Sequence, residues 1–398
     1  MLQKIPIRSD SAFLVLQLSH ALIYPAKTHP DVVIHGIAAR EKSKAQAFAA
    51  KHQIPLVLDS YDELVNHPDI DAVFIPLPNG LHYRWAMAAL QAGKHVLLEK
   101  PSVSNSDEAE ALFKSPLLQK PDAPILLDGI HNCFHPAWKY FMSKVDRNTV
   151  KHVKHCVSIP KGLIKLTDIR YNYSLAGGAI MDVGSYGLFA IRNILGLEPS
   201  ECEQCTVSPA EAPADPNCDS KYHAKLKFPN GKTGEILGDT QAPILSFALP
   251  SLEVWHEKVQ VFDAELDLKN EKFMMRKISF RGYMVLTLWN SVEVEDYFEV
   301  RSKHSGQVIK EWTVKNARSI HTPRDAGIEG PGEFWWKSYR YQLEEFVHRV
   351  LGRPGDGVWI SAEESIAQMK VIDMVYKKSS MGIRHSLGHQ IGHQSIEP

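Results

Sequence analysis

Between residues 32 and 129, short apolar runs alternate with helical stretches at a steady pace, and few folds accommodate that rhythm. Residues 32–38, 56–58 and 71–76 read as strands, as does His95-Val96-Leu97-Leu98. A run that is apolar at every position suits a strand covered on both faces. Between these strands, residues 41–52 are rich in Ala, Lys and Gln and read as a helix. Asp59-Ser60-Tyr61-Asp62-Glu63-Leu64 reads as a capped helix start with acidic residues in its first turn. Residues 82–92 and 104–115 are helical in pattern, and residues 124–129 supply a further strand. Strands separated by helices in this way imply an α/β fold with a parallel, doubly wound sheet. Chemistry in such sheets gathers just past the carboxyl ends of the strands. The strand at 95–98, entered through Gly93 and ended by Glu99-Lys100-Pro101, therefore sets a lysine beside a stiffening proline where a ligand would bind. A solvated Glu-Lys pair at a strand end is the competing reading.

The pattern changes near Asp128. Residues 151–159, 222–228, 251–262 and 292–300 alternate with period two, which argues for an antiparallel sheet with one exposed face. Residues 334–351 and 361–379 read as two closing helices. The expected organisation is a nucleotide-binding unit over residues 1–127, an α+β unit over 128–384 and a flexible tail over 385–398. A chain of 398 residues is ample for two domains.

Composition narrows the function classes. A formal net charge of −1 gives no basic field for nucleic acid or an anionic membrane. Five cysteines, an odd and sparse set, argue against a disulfide framework and for a reducing compartment, the cytoplasm. Cys202 and Cys205 form one C-x-x-C with Cys218 nearby, but no second pair at zinc-site spacing follows. His385, His389 and His393 share a four-residue spacing, yet Gly388 and Gly392 oppose a helix that would bring them together, so no metal is expected. No apolar run reaches the roughly 18 residues that span a membrane. The stretch 13–24 has the length of a signal-peptide core, but Gln17, Ser19 and His20 interrupt it and it reads as part of the fold.

Several stretches together resemble the glucose–fructose oxidoreductase and inositol dehydrogenase family, often written Gfo/Idh/MocA, and within it the dimeric dihydrodiol dehydrogenase and NADP-dependent xylose dehydrogenase branch. They are Ala38-Ala39-Arg40, Asp71-Ala72-Val73-Phe74-Ile75-Pro76-Leu77-Pro78-Asn79-Gly80-Leu81-His82 and Ala92-Gly93-Lys94-His95-Val96-Leu97-Leu98-Glu99-Lys100-Pro101. His131, His135-Pro136, Asp168-Ile169-Arg170, Gly177-Gly178-Ala179-Ile180-Met181-Asp182-Val183-Gly184-Ser185-Tyr186, Tyr339-Arg340-Tyr341-Gln342-Leu343 and Gln368-Met369 follow in order. The resemblance implies a Rossmann-type domain, then a domain on a large open antiparallel sheet, and a homodimer paired through that sheet. It implies hydride transfer between a nicotinamide and a hydroxyl or carbonyl of a sugar, diol or polyhydroxylated small molecule. Lys100 matches the catalytic lysine and Tyr186 the acid/base. Asp182, four residues earlier, would share a helix face with Tyr186 and orient lysine or substrate. A free phenol titrates near ~10, so Lys100 is expected to bring Tyr186 into working range. Pro76, Asn79, His82, Glu99, Lys100 and Pro101 would hold the cofactor. Arg40, where an NAD-binding protein would carry an acid, favours the 2′-phosphate of NADP, with NAD or no cofactor the alternatives. His131 and Arg170 are candidates for the substrate pocket.

Two departures stand out. Residues 1–35 contain no glycine, although the pyrophosphate turn of such a site, expected here near residues 10–16, needs several. An incorrect amino-terminal gene model, altered cofactor binding, or loss of redox chemistry would each account for it. The last leaves a cofactor-independent lyase, isomerase or cyclase reusing Lys100, Asp182 and Tyr186. A silent binding subunit has no need of those three residues. The second departure is Asn132-Cys133, where the branch carries Tyr-Arg. Losing that planar cation suggests a substrate less polar than a free sugar.

Overall fold

In the computed structural model, which describes residues 12–15, 20–246, 248–286 and 288–387, strands and helices alternate through the first third of the chain. They are β1 (Ala12–Val15), α1 (His20–Lys27), β2 (Val33–Ala38), α2 (Lys42–His52), β3 (Leu56–Leu58), α3 (Tyr61–Val65), β4 (Ala72–Ile75), α4 (Asn79–Gln91), β5 (His95–Glu99), α5 (Ser106–Phe113) and β6 (Leu126–Gly129). The six strands are parallel, in the order β3-β2-β1-β4-β5-β6. β4 is buried at every position and β5 at its three central ones, as runs covered on both faces must be. Ser60 caps α3 by accepting from the backbone N–H of Glu63 at 3.0 Å. Gly93 turns the chain into β5 at a φ of 75°, a conformation that favours glycine.

The expected position of the first turn needs correction. Residues 12–15 form β1, which pairs with β2 and β4 in the middle of the sheet, so they cannot be a turn. The connection from β1 to α1 is residues 16–19, which lie outside the described residues. Of the apolar stretch at 13–24, residues 13–15 thus belong to the sheet and residues 20–24 to its first helix.

The second unit contains α6 (Pro136–Met142), β7 (Val150–Pro160), α7 (Ser185–Leu195), β8 (Glu201–Pro209), β9 (Asp219–Lys227), β10 (Thr233–Ala242), β11 (Ser251–His256), β12 (Val259–Val261), β13 (Asn270–Arg281), β14 (Ser291–Ser302), β15 (Val308–Arg318), α8 (Pro323–Ala326), α9 (Ser338–Val350) and α10 (Ala362–Lys378). Its sheet runs β15-β14-β13-β11-β7-β10-β9-β8, with β12 on β13. All pairs are antiparallel except β10 with β7, which is parallel. Burial alternates along β10, leaving one face to solvent.

Other expectations are adjusted. β6 carries Asp128 and Gly129 into the parallel sheet, two residues past the expected boundary at 127. The stretch 251–262 breaks into two strands, and α9 begins at Ser338, leaving residues 334–337 outside the helix. Residues 385–387 are not a loose tail: Asn105 donates to the Ser386 hydroxyl at 3.0 Å, and His385 meets the Tyr173 ring edge-on at 6.0 Å. His389 and His393 lie outside the described residues. By length and composition Tyr173–Leu195 could cross a membrane, but its apolar window is 83% buried within the protein, as a core helix is.

Candidate active site

Two cavities open along the carboxyl edge of the parallel sheet. One, of about 410 Å³, is lined by Pro76, Asn79, Glu99, Lys100, Arg170, Asp182, Tyr186, Met284 and Tyr339. The other, of about 530 Å³, is lined by Arg40, Lys44, Ser60, Tyr61, Trp85 and their neighbours. Both are lined by Leu77, Pro78, Ile169 and Leu175, so they adjoin, and together they form a groove-like edge from Arg40 to Tyr186. Sites of this size at the edge of a doubly wound sheet accommodate small organic ligands.

Lys100 extends from the end of β5 toward a widened helical turn. Residues Ile180–Gly184 form a π-helical turn that leads into α7. The turn leaves room for the Asp182 carbonyl to accept from Lys100 Nζ at 2.8 Å and from Ser185 Oγ at 2.9 Å. Lys100 Nζ also reaches Asp182 Oδ1 at 2.9 Å, and Arg170 Nε reaches Asp182 Oδ2 at 3.1 Å. Burial alone would raise the Asp182 carboxyl, but the Lys100 and Arg170 cations hold it below the usual range. Arg170 is paired a second time, with Asp168 at 2.9 Å. The backbone N–H of Ile180 donates to buried Asp219, which is ion-paired to Arg384 at 2.7 Å. Arg384 Nε donates to the Gly177 carbonyl at 2.6 Å. A side chain at Gly178, whose φ is 136°, would collide with Asp219, Arg384 and Tyr376. The Gly177-Gly178 pair therefore lets this buried knot close behind the π-helical turn.

Tyr186 lies one residue into α7, with Lys100 Nζ 4.7 Å from its ring centre. Its phenol is not brought down as expected. Burial pushes it well up, and the Glu99 and Asp182 carboxylates add to that. The Lys100 charge is taken up by Asp182 instead.

The candidate residues separate into those that face the groove and those that do not. Pro76, Asn79, Glu99, Lys100, Arg170, Asp182 and Tyr186 line its inner end, and Arg40 its outer end. Asn79 donates to the Ala176 carbonyl at 3.0 Å, tying the start of α4 to the second domain. Glu99 is hydrogen-bonded to the Tyr339 hydroxyl, and burial raises its carboxyl. His82 does not reach the groove. Its imidazole is fully buried between the carbonyls of Leu77 at 2.7 Å and Pro101 at 3.0 Å, and the single N–H of the neutral ring donates to one of them. Pro101 lines a small cleft behind Lys100 rather than the groove.

His131 also stands one layer back, correcting its place in the substrate pocket. It bonds the Tyr186 hydroxyl at 2.9 Å and Ser338 Oγ at 2.7 Å. Asn132 and Cys133 face the core, where they bond the carbonyls of Tyr283 and Ile130, so they do not set the polarity of the pocket wall. Sequence reasoning missed Ser338, Tyr339 and Met284. The Tyr339-Arg340-Tyr341 match to the family was the available signal, but it carried no role.

A family model described as an oxidoreductase family with an NAD-binding Rossmann fold matches residues 18–116. The chain is 28% identical over 365 residues to a D-xylose 1-dehydrogenase (NADP⁺) of Haloferax volcanii, covering 90% of this chain and 94% of that protein. It is 30% identical over 356 residues to an uncharacterized oxidoreductase of Rhizobium meliloti, covering 87% and 89%. Among solved structures, a 3-ketoreductase of Actinomadura kijaniata in complex with NADP and TDP-benzene shares the fold, with a TM-score of 0.66, 19% identity and coverage of 93% and 98%. Nothing in these comparisons supports the cofactor-independent alternative.

Proposed function

This chain belongs to the Gfo/Idh/MocA oxidoreductase family, and on that premise we propose that it transfers hydride between NADP(H) and a hydroxyl or carbonyl carbon of a sugar, diol or other polyhydroxylated small molecule. The observation that carries this reading is the Lys100–Asp182 pair beside Tyr186, at the inner end of a groove that runs to Arg40. The groove fits a dinucleotide, with Arg40 placed to receive a 2′-phosphate at one end, beside Lys44, which is paired with Glu41 at 2.7 Å, and with Pro76, Asn79 and Glu99 to hold the nicotinamide side. No ion pair engages Arg40 among the described residues, which leaves its guanidinium for such a phosphate.

A bound nicotinamide would supply the carbon that gives or takes the hydride. The chain's own residues handle the proton and the charge. Two of the three N–H groups of Lys100 are held by Asp182, and the third is left to stabilise negative charge on the substrate oxygen. Tyr186 gives that oxygen its proton during reduction and takes it back during oxidation. Asp182 fixes Lys100, and Arg170 holds the far side of Asp182. The glycine-free start of the chain argues for weaker cofactor binding than a glycine-rich turn gives. Five unpaired cysteines support a cytoplasmic setting. The exposed apolar side chains Val308, Ile309 and Val314 along β15 support a homodimer through the open sheet.

Titration with NADPH and with NADH, followed by nicotinamide fluorescence, tests the cofactor assignment. NADPH should bind more tightly than NADH, and Arg40→Ser should remove most of that preference. Absence of binding at millimolar NADPH would refute the assignment. Lys100→Met should keep binding and lose turnover of D-xylose and related aldoses.

A further inference from the structure

Behind Tyr186, three side chains from distant parts of the chain form a file. Tyr186 Oη lies 2.9 Å from His131 Nε2, and His131 Nδ1 lies 2.7 Å from Ser338 Oγ. The imidazole is buried and stacks on Tyr339, with ring centres 4.1 Å apart and planes inclined by 24°. Burial, with Lys100 and His135 nearby, lowers the His131 imidazole to about 3, so it is neutral in the working range. A neutral imidazole donates from one nitrogen and accepts at the other.

Two arrangements of protons satisfy these distances. In the first, Nδ1–H donates to Ser338 and Nε2 accepts the Tyr186 proton. That turns the only proton of the phenol away from the groove. It also leaves the buried Ser338 hydroxyl proton without an acceptor, since no other partner for that hydroxyl is found among the described residues. In the second, Ser338 donates to Nδ1 and Nε2–H donates to Tyr186 Oη. The protons of Ser338 and His131 then both have acceptors within the protein, and the Tyr186 proton is left free for the groove that its side chain lines.

We propose that Ser338 fixes the tautomer of His131 so that Nε2–H donates to the Tyr186 hydroxyl, which makes His131 and Ser338 a positioning pair for the acid/base tyrosine. The role of Tyr186 in hydride transfer rests on the function proposed above; the tautomer does not. The groups that face Tyr186 make such a donor consequential. From the end of β5 come Glu99 and the residue after it, Lys100, from the π-helical turn Asp182, and from other segments Arg170, Tyr283 and Tyr339. Glu99 and Asp182 oppose a phenolate. The His131 N–H opposes them by hydrogen-bonding the phenolate oxygen directly.

Full-length protein labelled with ¹⁵N-histidine reads the tautomer directly from the Nδ1 and Nε2 shifts, with His131 assigned by its absence in His131→Gln. The expected result is a single Nε2–H tautomer that becomes mixed or switches in Ser338→Ala. An Nδ1–H tautomer in the native protein, or no change in Ser338→Ala, would overturn the proposal. The second readout is the pH midpoint of NADP⁺-dependent D-xylose oxidation. His131→Phe should move it upward by about one pH unit with KM little changed, because the phenolate loses a donor. His131→Gln, which keeps an N–H near the Nε2 position, should restore most of it. An unmoved midpoint in His131→Phe would also overturn the proposal. If the native protein turns over no substrate, the function proposed above fails while the labelling result still decides the tautomer.

Discussion

Asp182 carries more of the site than its neighbours do. One carboxylate and its own carbonyl hold two cations, Lys100 and Arg170, that would otherwise repel across the groove. Asp182→Asn should therefore let Lys100 leave its position. A misplacement of about 1 Å at a reacting group costs on the order of 10²-fold in rate, and a fall in kcat of that size is expected, with NADPH affinity nearly unchanged. A kcat within twofold of the native protein would remove Asp182 from this role. Lys100, Asp182 and Tyr186 were legible in the sequence because each sits in a short ordered motif whose neighbours constrain it. His131 was legible as a residue near the site but not in its role. Its contacts join positions 131, 186 and 338, and no local pattern encodes a meeting across such separations. The expected lowering of Tyr186 failed for a related reason: the sequence places Lys100 nearby but does not show that burial, and then the Glu99 and Asp182 carboxylates, push the phenol up.

At the level of elements, the site depends on how the π-helical turn is anchored from below. Arg384, fully buried, is ion-paired to fully buried Asp219, whose other oxygen accepts from the Ile180 N–H. Breaking such a pair by removing one partner leaves a buried charge uncompensated, at about 3–5 kcal/mol. Arg384→Met should lower stability in urea by an amount of that order and reduce turnover with it. A change under about 1 kcal/mol, the scale of exposed pairs, would show that the knot is not an anchor. Strands of the parallel sheet were readable because burial on both faces makes them continuously apolar. β8, β10, β13 and β15 were not predicted. β15 is the extreme case: it lies at the sheet edge with nearly every residue exposed or half-exposed, so no apolar period marks it. β1 was read as the site of a turn because the expectation followed the spacing of a glycine motif that this chain lacks.

For the whole molecule, buried titratable groups set the acid response. Burial lowers His82 to about 4 and His131, His135 and His155 to about 3. Unfolded imidazoles titrate near ~6.5, so as pH falls below that value the unfolded chain gains protons that the native state refuses, and stability is lost. Burial acts oppositely on Asp128 and Glu345, each raised to about 7, whose native protons favour the fold at low pH and are lost as pH rises. His29 is likewise lowered, to about 4, chiefly by burial, so the depressed imidazoles outnumber these two carboxyls and unfolding takes up protons as pH falls through about 6. The melting temperature should therefore fall steeply below about pH 6; a flat profile down to pH 5 would contradict this balance. Sedimentation should give about twice the monomer mass of 44.8 kDa, and a single-chain mass at micromolar concentration would contradict pairing through the open sheet.

A nicotinamide bound in this groove would exchange hydride with a substrate carbon beside Lys100. The most direct test of this is transfer of deuterium from NADPH labelled at the nicotinamide 4-position to a panel of ketoses, aldoses and their keto derivatives, read by mass spectrometry of the products. Label should appear on carbon in the product made by the native protein and be absent with Lys100→Met. NADPH that binds while no labelled product forms across the panel would contradict it.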